Sequence, residues 1–598
     1  MKQFFKMTLA TVCGIAIFLL ITGFFLVISL VGMLASDSAS KKVKENSVFV
    51  LQLNGTVTEQ SEEDSPLNTI MGMGGMSAMG LDDLISSIRK AKDNDDIKGI
   101  YLEGGTVGFD APATAQQLRD ALKDFKQSGK WIVAYADQYL QASYYVATVA
   151  DKIYLNDHGM IDFKGLGGKG EYYKGLYDKL GVKYMVAKVG KYKSYVESNT
   201  LTGMSDYDRE QRTAYLNGIW NYWLKEMAEG RKVKAEDLNQ LANDSVMAFA
   251  CTDDYVKAKL IDKVLFPEEI KAEIKGRLKL GKDDAIEQLT LSDMLNVKSK
   301  KSTDGDKVAI YYAYGSIVDS ETMNLLDGGG HCIVGGKTAD DLRKLADDDD
   351  VKAVVFRVNS GGGSAVASEQ IRHAVKLLKE KKPVVVSMGG AAASGGYWIS
   401  SPANYIVAEP TTITGSIGIF GLVPNLSGLM TDKLGITFDG TKTNKYTDFE
   451  ENILFSKDNE QELKFMQSYV DRGYLNFLDI VSEGRKMSRE QVHEIAQGRV
   501  WLATDALPIK LVDQLGSLDD AVKKAAELAN LSDYHQTSYP QAATWYEQLL
   551  ASENSRGTYI DSELRELLGD FYKPLLNARR DTQRNRLQVR YPYTISFN

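Results

Sequence analysis

Two parts of this chain repeat each other at a nearly fixed distance, and that constrains the fold more than any other feature. Asp95-Asp96-Ile97-Lys98-Gly99-Ile100-Tyr101-Leu102 is matched by Asp349-Asp350-Val351-Lys352-Ala353-Val354-Val355-Phe356, an offset of 254 (351 − 97). Gly230-Arg231-Lys232 returns as Gly484-Arg485-Lys486 at the same offset, and Leu260-Ile261-Asp262 as Leu511-Val512-Asp513 at 251 (511 − 260). Landmarks in one order at near-constant spacing indicate a tandem duplication of a unit of roughly 250 residues. A chain of 598 residues is also too long for one core. Two similar domains are expected, residues 47–297 and 307–560, joined by the polar stretch 298–306.

Within each unit, short β-branched runs alternate with amphipathic helical stretches. In the second unit Val308–Tyr312, Ala353–Val358, Pro383–Ser387 and Tyr405–Val407 read as strands. Thr338–Ala346, Ala365–Lys379 and Glu460–Glu483 read as helices. This alternation predicts an α/β fold with parallel strands, whose sites gather at the carboxyl ends of the strands. Two glycine-rich stretches follow strands there: Asn359-Ser360-Gly361-Gly362-Gly363-Ser364, and Met388 to Trp398 with Ser394 at its centre. The second is read as a strand, a glycine-rich bend and a helix start.

The ends of the chain have a different character. From Met7 to Ser36 there is no charged residue, which is long enough to span a bilayer. Residues 1–46 are therefore expected to be a cytoplasmic stub and membrane anchor, and Lys2 and Lys6 put the body outside. Glu59 to Gly80 is acidic, then rich in Met and Gly (the 69–80 part above all), and reads as a mobile connector. Residues 561–598 form a tail whose end is basic. A net charge of −9 argues against nucleic acid as a partner. Cys13, Cys251 and Cys332 suggest neither a disulfide framework nor a zinc site, and five histidines lack metal-hydrolase spacing. No cofactor and no metal are expected.

A serine at such a bend needs a base to become a nucleophile, and no histidine has a suitable context. Lysine is the alternative, and the duplication points to one. Lys191-Tyr192-Lys193 corresponds to Lys445-Tyr446-Thr447 at offset 254, so Lys193 is replaced in the second unit. At offset 253, Ser394-Gly395-Gly396-Tyr397-Trp398 falls on Gln141-Ala142-Ser143-Tyr144-Tyr145, so the first unit lacks the serine and its glycines. One copy holds the serine turn and the other holds the lysine. Lys191 reads as a surface lysine, Ser360 and Ser364 as turn residues, Tyr397 and Trp398 as core.

The segment Gly389 to Gly421, with Ala393-Ser394-Gly395-Gly396-Tyr397-Trp398 and Thr414-Gly415-Ser416-Ile417-Gly418, resembles the signal peptide peptidase A (protease IV) family in its long, duplicated, membrane-anchored form. The resemblance implies tandem Clp/crotonase-type domains of repeated ββα units. It implies Ser394 as nucleophile, Lys193 as general base, Ser416 as the serine that bonds the lysine, and the Gly362 and Gly395 amides as oxyanion hole. Gly361 stands where the family usually has proline. The implied partners are peptide substrates, cleaved signal peptides above all, together with the membrane and further copies in a homotetramer. The implied location is the bacterial cytoplasmic membrane, with the catalytic body on the periplasmic side. Two other readings are an acyl-thioester-handling crotonase relative without a serine nucleophile, and an inactive tethered scaffold that binds peptides.

Overall fold

In a computed structural model of the chain, the landmarks of the duplication bond to one another. Arg231 ends the helix Asp206–Arg231. Its guanidinium donates to the Lys259 carbonyl at 2.8 Å and to Asp262 at 3.0 Å. Arg485 ends the helix Glu460–Arg485 and donates in the same way to the Lys510 carbonyl at 2.9 Å and to Asp513 at 2.6 Å. Each aspartate also accepts a strand amide, Ile153 at 2.9 Å and Ile406 at 2.8 Å. Lys232 and Lys486, which follow, terminate the two helices in the left-handed conformation with φ of 55° and 54°. The repeated residues thus fasten a long helix to a sheet in both halves. Other helices keep the spacing: Leu81–Asp93 against Gly335–Asp347 is 254 (335 − 81), and Pro267–Leu278 against Leu518–Leu528 is 251 (518 − 267).

The structure describes residues 41–61, 78–299, 305–320 and 331–540, together with Gly14, Phe18, Ile21 and Thr22. The expected anchor, most of the Met/Gly stretch, most of the linker and the basic tail lie outside the described residues, apart from those four helical positions. Among the described residues no helix is long and apolar enough to cross a membrane. Both repeats through Tyr539 belong to one compact unit.

Each repeat is built on its own mixed α/β layer arrangement. The first has a six-stranded parallel sheet in the order Gln288–Leu289, Ser47–Gln52, Ile97–Glu103, Trp131–Tyr139, Lys152–Ile161, Lys263–Val264. The second has an eight-stranded sheet whose centre runs Ile413–Gly415, Val384–Ala393, Val351–Ser360, Asp306–Tyr314. Strands buried on both faces must be apolar at nearly every position, which is why they appear as unbroken Val/Ile runs. Val354, Phe356 and Val358 pack with Leu342, Ile371 and Val375 on one face. Ala353 and Val355 pack with Ala521, Val522 and Ala525 on the other.

The strand Val384–Ala393 departs from the reading above. It does not bend at Gly389; it runs on to Ala393, and the turn is confined to Ser394. The glycines serve close approach instead. A Cβ on Gly389 would strike the Glu59 carboxylate, and one on Gly390 would strike the Ala111 side chain, both of the first repeat. Glu59 likewise departs from its reading as part of a mobile acidic connector: it is 2% exposed. Met79–Gly80 is a short strand paired with Val57 and Thr58.

Glu59 is buried because Arg357 of the second repeat meets it. Nε and one terminal nitrogen of Arg357 each donate to a Glu59 oxygen at 3.0 Å. The remaining donors reach Gln117 Oε1 at 2.9 Å, Ser387 Oγ at 2.9 Å and the Met388 carbonyl at 3.3 Å. All the N–H donors of a guanidinium are thereby used. Asn359, next in line, donates to Glu59 at 3.0 Å and accepts from the Ala391 amide at 3.0 Å. The pair therefore locks one half onto the other beside the glycine-rich turn. Glu59→Ala leaves a buried guanidinium uncompensated and is expected to cost about 3–5 kcal/mol in denaturant unfolding. The double change Glu59→Leu with Arg357→Met should cost less than Glu59→Ala alone, and a larger loss would refute this account.

Candidate active site

An antiparallel ribbon shared by the two repeats sets the geometry. Lys183–Lys188 of the first pairs with Phe420–Asn425 of the second, with Lys188 opposite Phe420. Because the strands run oppositely, the chain leaving Lys188 and the chain arriving at Phe420 lie at the same end of the ribbon. Lys193 is five residues beyond Lys188 and Ser416 four residues before Phe420, both off that same end. The ribbon therefore brings the lysine of one half to the serine-bearing segments of the other.

Ser394 sits between the strand Val384–Ala393 and the helix Gly395–Ser400, with φ 54° and ψ −117°. A non-glycine residue held there stores on the order of 1–3 kcal/mol. Its amide donates to the Gly415 carbonyl at 2.9 Å, and its carbonyl accepts from Trp398 at 2.9 Å, so the turn is held from both sides. Ser416 is also left-handed, at φ 49°, with its amide bound to the Arg499 carbonyl at 2.7 Å.

Lys193 is 4% exposed. Its Nζ lies 3.1 Å from Ser394 Oγ, 2.9 Å from Ser416 Oγ and 3.2 Å from the Ser416 carbonyl oxygen. The Phe420 ring, against which Tyr195 packs, stands 5.8 Å from the same nitrogen. Burial lowers its pKa to about 8, and among the described residues no carboxylate opposes it. A neutral amine has two N–H donors and one lone pair. Donation to the Ser416 carbonyl and to Ser416 Oγ leaves the lone pair for the Ser394 hydroxyl proton. Such an arrangement can take that proton.

Two glycines complete the surroundings of Ser394. Gly395 is the first residue of its helix, so its N–H has no intrahelical acceptor. Gly362, at φ 102°, is so close that a Cβ on it would lie 2.6 Å from the Gly395 nitrogen and 3.0 Å from Ser394 Cβ. The Gly362 N–H donates to Ser360 Oγ at 3.1 Å, so an oxyanion there has to share that bond. The two amides flank the serine on adjacent segments.

The secondary candidates have other places. Lys191 is exposed, with its Nζ 5.3 Å from the Tyr192 ring and 5.1 Å from the Tyr207 ring. Ser364 caps a helix by accepting from Ala367 at 3.2 Å. Tyr397 and Tyr144 are equivalent core residues, donating to the Leu511 carbonyl at 2.8 Å and the Leu260 carbonyl at 2.7 Å. That equivalence aligns Gln141 with Ser394 (397 − 144 = 253), and Gln141 spends its amide on Lys164 and Gly165 backbone groups. Thr447 is exposed and distant in role, bonding only a neighbouring carbonyl at 3.0 Å.

Sequence reading missed the residues that hold Lys193 in place. Gly498, φ 78°, lies so close that a Cβ would come within 2.7 Å of the Lys193 backbone nitrogen. Arg499 lays its guanidinium 4.8 Å from the Tyr192 ring and 4.3 Å from the Trp501 ring. Gln211 bonds backbone of both repeats. None of the three left a signal in the sequence, since each acts across the junction of the repeats.

Comparison with known proteins finds one family in both halves. The profile of peptidase family S49 matches residues 124–281 and 376–532, once in each repeat. Protease 4 of Salmonella typhi is 32% identical over 592 residues, covering 96% of this chain and 93% of that protein. Protease 4 of Haemophilus influenzae is 34% identical, covering 84% of this chain and 83% of its own. The chloroplastic serine protease SPPA of Arabidopsis thaliana is 29% identical, covering 82% and 70%. With one profile found in each repeat and relatives aligned almost end to end, the chain belongs to peptidase family S49 and is a serine protease.

Proposed function

We propose that Ser394 and Lys193 form a catalytic dyad divided between the two repeats. The observation behind it is the 3.1 Å separation of Lys193 Nζ from Ser394 Oγ, with the amine buried. Neutral Lys193 takes the Ser394 hydroxyl proton as Oγ bonds to the scissile carbonyl carbon. The carbonyl oxygen becomes an oxyanion facing the Gly395 and Gly362 amides. Ser416 orients the amine. As the C–N bond breaks, the lysine returns the proton to the leaving nitrogen, leaving an acyl-enzyme. Water, losing a proton to the same lysine, adds to the acyl carbon; as the C–Oγ bond breaks, the lysine returns that proton to Oγ, which releases the acid and restores Ser394.

The family's substrates suit such a recessed site. Cleaved signal peptides are apolar and lack stable structure, and a crevice between two halves admits extended chain more readily than folded protein. We further assign residues 7–36 as a single-pass anchor that keeps the body on the periplasmic face of the cytoplasmic membrane, Clp/crotonase-type architecture to each repeat, and a homotetramer to the assembly. Support for the anchor is the uncharged length of the segment. Light scattering on the detergent-solubilised chain tests the tetramer, and protease accessibility in spheroplasts tests the orientation.

Ser394→Ala and Lys193→Ala should each lower hydrolysis of a fluorogenic apolar peptide by on the order of 10,000-fold while leaving the assembly unchanged. Ser416→Ala should lower it by roughly 10- to 100-fold. Full activity in Lys193→Ala would remove the lysine from the mechanism.

The lowered pKa sets the pH response. At pH 7 a lysine with pKa about 8 is neutral in roughly one molecule in ten, against roughly one in three thousand for the ordinary 10.5. The base works unprotonated, so kcat/KM should rise about tenfold per unit below pH 8 and level off above it. Folding follows the same sign. Between about pH 8 and 10.5 the unfolded chain holds a proton that the folded chain has lost, so this lysine makes stability rise with pH across that window. Lys193→Met should lack that increment, measured as the difference in unfolding free energy between pH 7.5 and pH 10.5 relative to wild type.

A further inference from the structure

We propose that Gln211 is a positioning residue that fixes the lysine of the first repeat against the serines of the second. The inference rests on the dyad reading above and extends it to a residue that touches neither substrate nor reacting atoms. Gln211 lies in the first turns of the helix Asp206–Arg231 and is 3% exposed. Its Nε2 lies 3.1 Å from the Tyr192 carbonyl and 3.0 Å from Ser194 Oγ, the residues on either side of Lys193. Its Oε1 accepts from the Val500 amide of the second repeat at 3.0 Å.

The orientation of this amide is forced by its partners. The Tyr192 carbonyl can only accept, and the Val500 N–H can only donate. Ser194 gives its own proton to Asp208 Oδ1 at 2.6 Å, so its oxygen is free to accept from Nε2. Asp208, also within 3.0 Å of Nε2, is held in turn by Arg212 at 2.8 Å. Reversing the amide would set an oxygen against the Tyr192 carbonyl and a donor against the Val500 N–H. A buried amide with one satisfied arrangement is a stiff link.

Its far end reaches the other serine segment. Val500 is paired with Gly415, the residue before Ser416, and the intervening Arg499 carbonyl holds the Ser416 amide at 2.7 Å. One side chain therefore connects both neighbours of Lys193 to the strand that sets Ser416. Helix packing alone does not require this, since an apolar side chain of equal size would fill the same volume. What the amide adds is register between the two halves, to the fraction of an ångström on which proton transfer depends.

The test is Gln211→Met in the full-length enzyme, which keeps the volume and removes both ends of the link. A positioning role predicts a 10- to 100-fold fall in kcat with KM changed less than about threefold. It also predicts a pH–rate midpoint moved upward, because a loosened Lys193 segment admits water to the amine. A merely structural role would lower the melting temperature and leave both the kcat of the folded enzyme and its midpoint at wild-type values; that result overturns the proposal. Should the Met variant not fold, Gln211→Asn, an amide on a shorter stem, is read by the same criteria. Lys193→Ala separates the two readings. If it is dead while Gln211→Met behaves as wild type, only the positioning role falls; if it is fully active, the dyad itself falls.

Discussion

In the proposed dyad a lysine serves as a base near neutral pH only where its charged form is disfavoured, and among the described residues nothing but burial disfavours it. Among the described residues Lys193 has no cationic neighbour that lowers its pKa and no carboxylate that raises it; desolvation alone acts. The shift from 10.5 to about 8 corresponds to roughly 3 kcal/mol spent against the ammonium. That penalty has to be met by packing elsewhere, because one hydroxyl pair and a carbonyl around Nζ do not replace bulk water. The rest of the molecule follows from this need. A dry site at a strand end is easiest to make where two domains close on each other, and neither repeat closes over Lys193 unaided.

The closeness of that closure explains the glycines better than flexibility does. Gly389 and Gly390 stand where the first repeat presses on the strand leading to Ser394, and Gly498 stands where the second presses on Lys193. Any side chain at these points would separate the halves. The ion pair of Arg357 with Glu59 acts in the same place, tying the start of the glycine-rich turn at Asn359 to the first repeat. Ser394 and Ser416 are both held at positive φ, a strain that persists only because surrounding backbone bonds leave no alternative. Rigidity, not mobility, is the property these glycines provide.

How far this was legible in the sequence depends on the range of the interaction. The Arg231–Asp262 and Arg485–Asp513 pairs surfaced as repeated landmarks because the same bond is made twice, so the same letters recur. Val384-Val385-Val386 declared a buried parallel strand because burial on both faces leaves only apolar residues. Ser394 and Lys193 became visible through what each copy lacks. Gln211, Arg499 and Glu59 left no comparable mark. Each acts once, across the junction of the repeats, and a single polar residue in a helix or acidic stretch looks like any solvated one. Glu59 was misread for that reason: its burial depends on an arginine almost 300 residues away. The strand through Gly389 was misread because glycine signals a turn locally, while its purpose here is contact with another domain.

The asymmetry of the two repeats and the interface between them turn out to be one feature. Two identical halves would each hold a serine turn and a lysine, and each would need its own dry cleft. With the halves fused, the proposed dyad needs one cleft, and the corresponding positions of the other copy take other places. Gln141, aligned with Ser394, stitches down the loop at Lys164 and Gly165 instead, and Thr447, aligned with Lys193, is left at the surface. The two strands of the ribbon are themselves not equivalent between repeats, since Lys183–Lys188 falls in the region corresponding to residues 437–442, which form no strand. The antiparallel pairing of Lys188 with Phe420 therefore has no counterpart among the described residues. It is that pairing that turns the lysine of one toward the serines of the other.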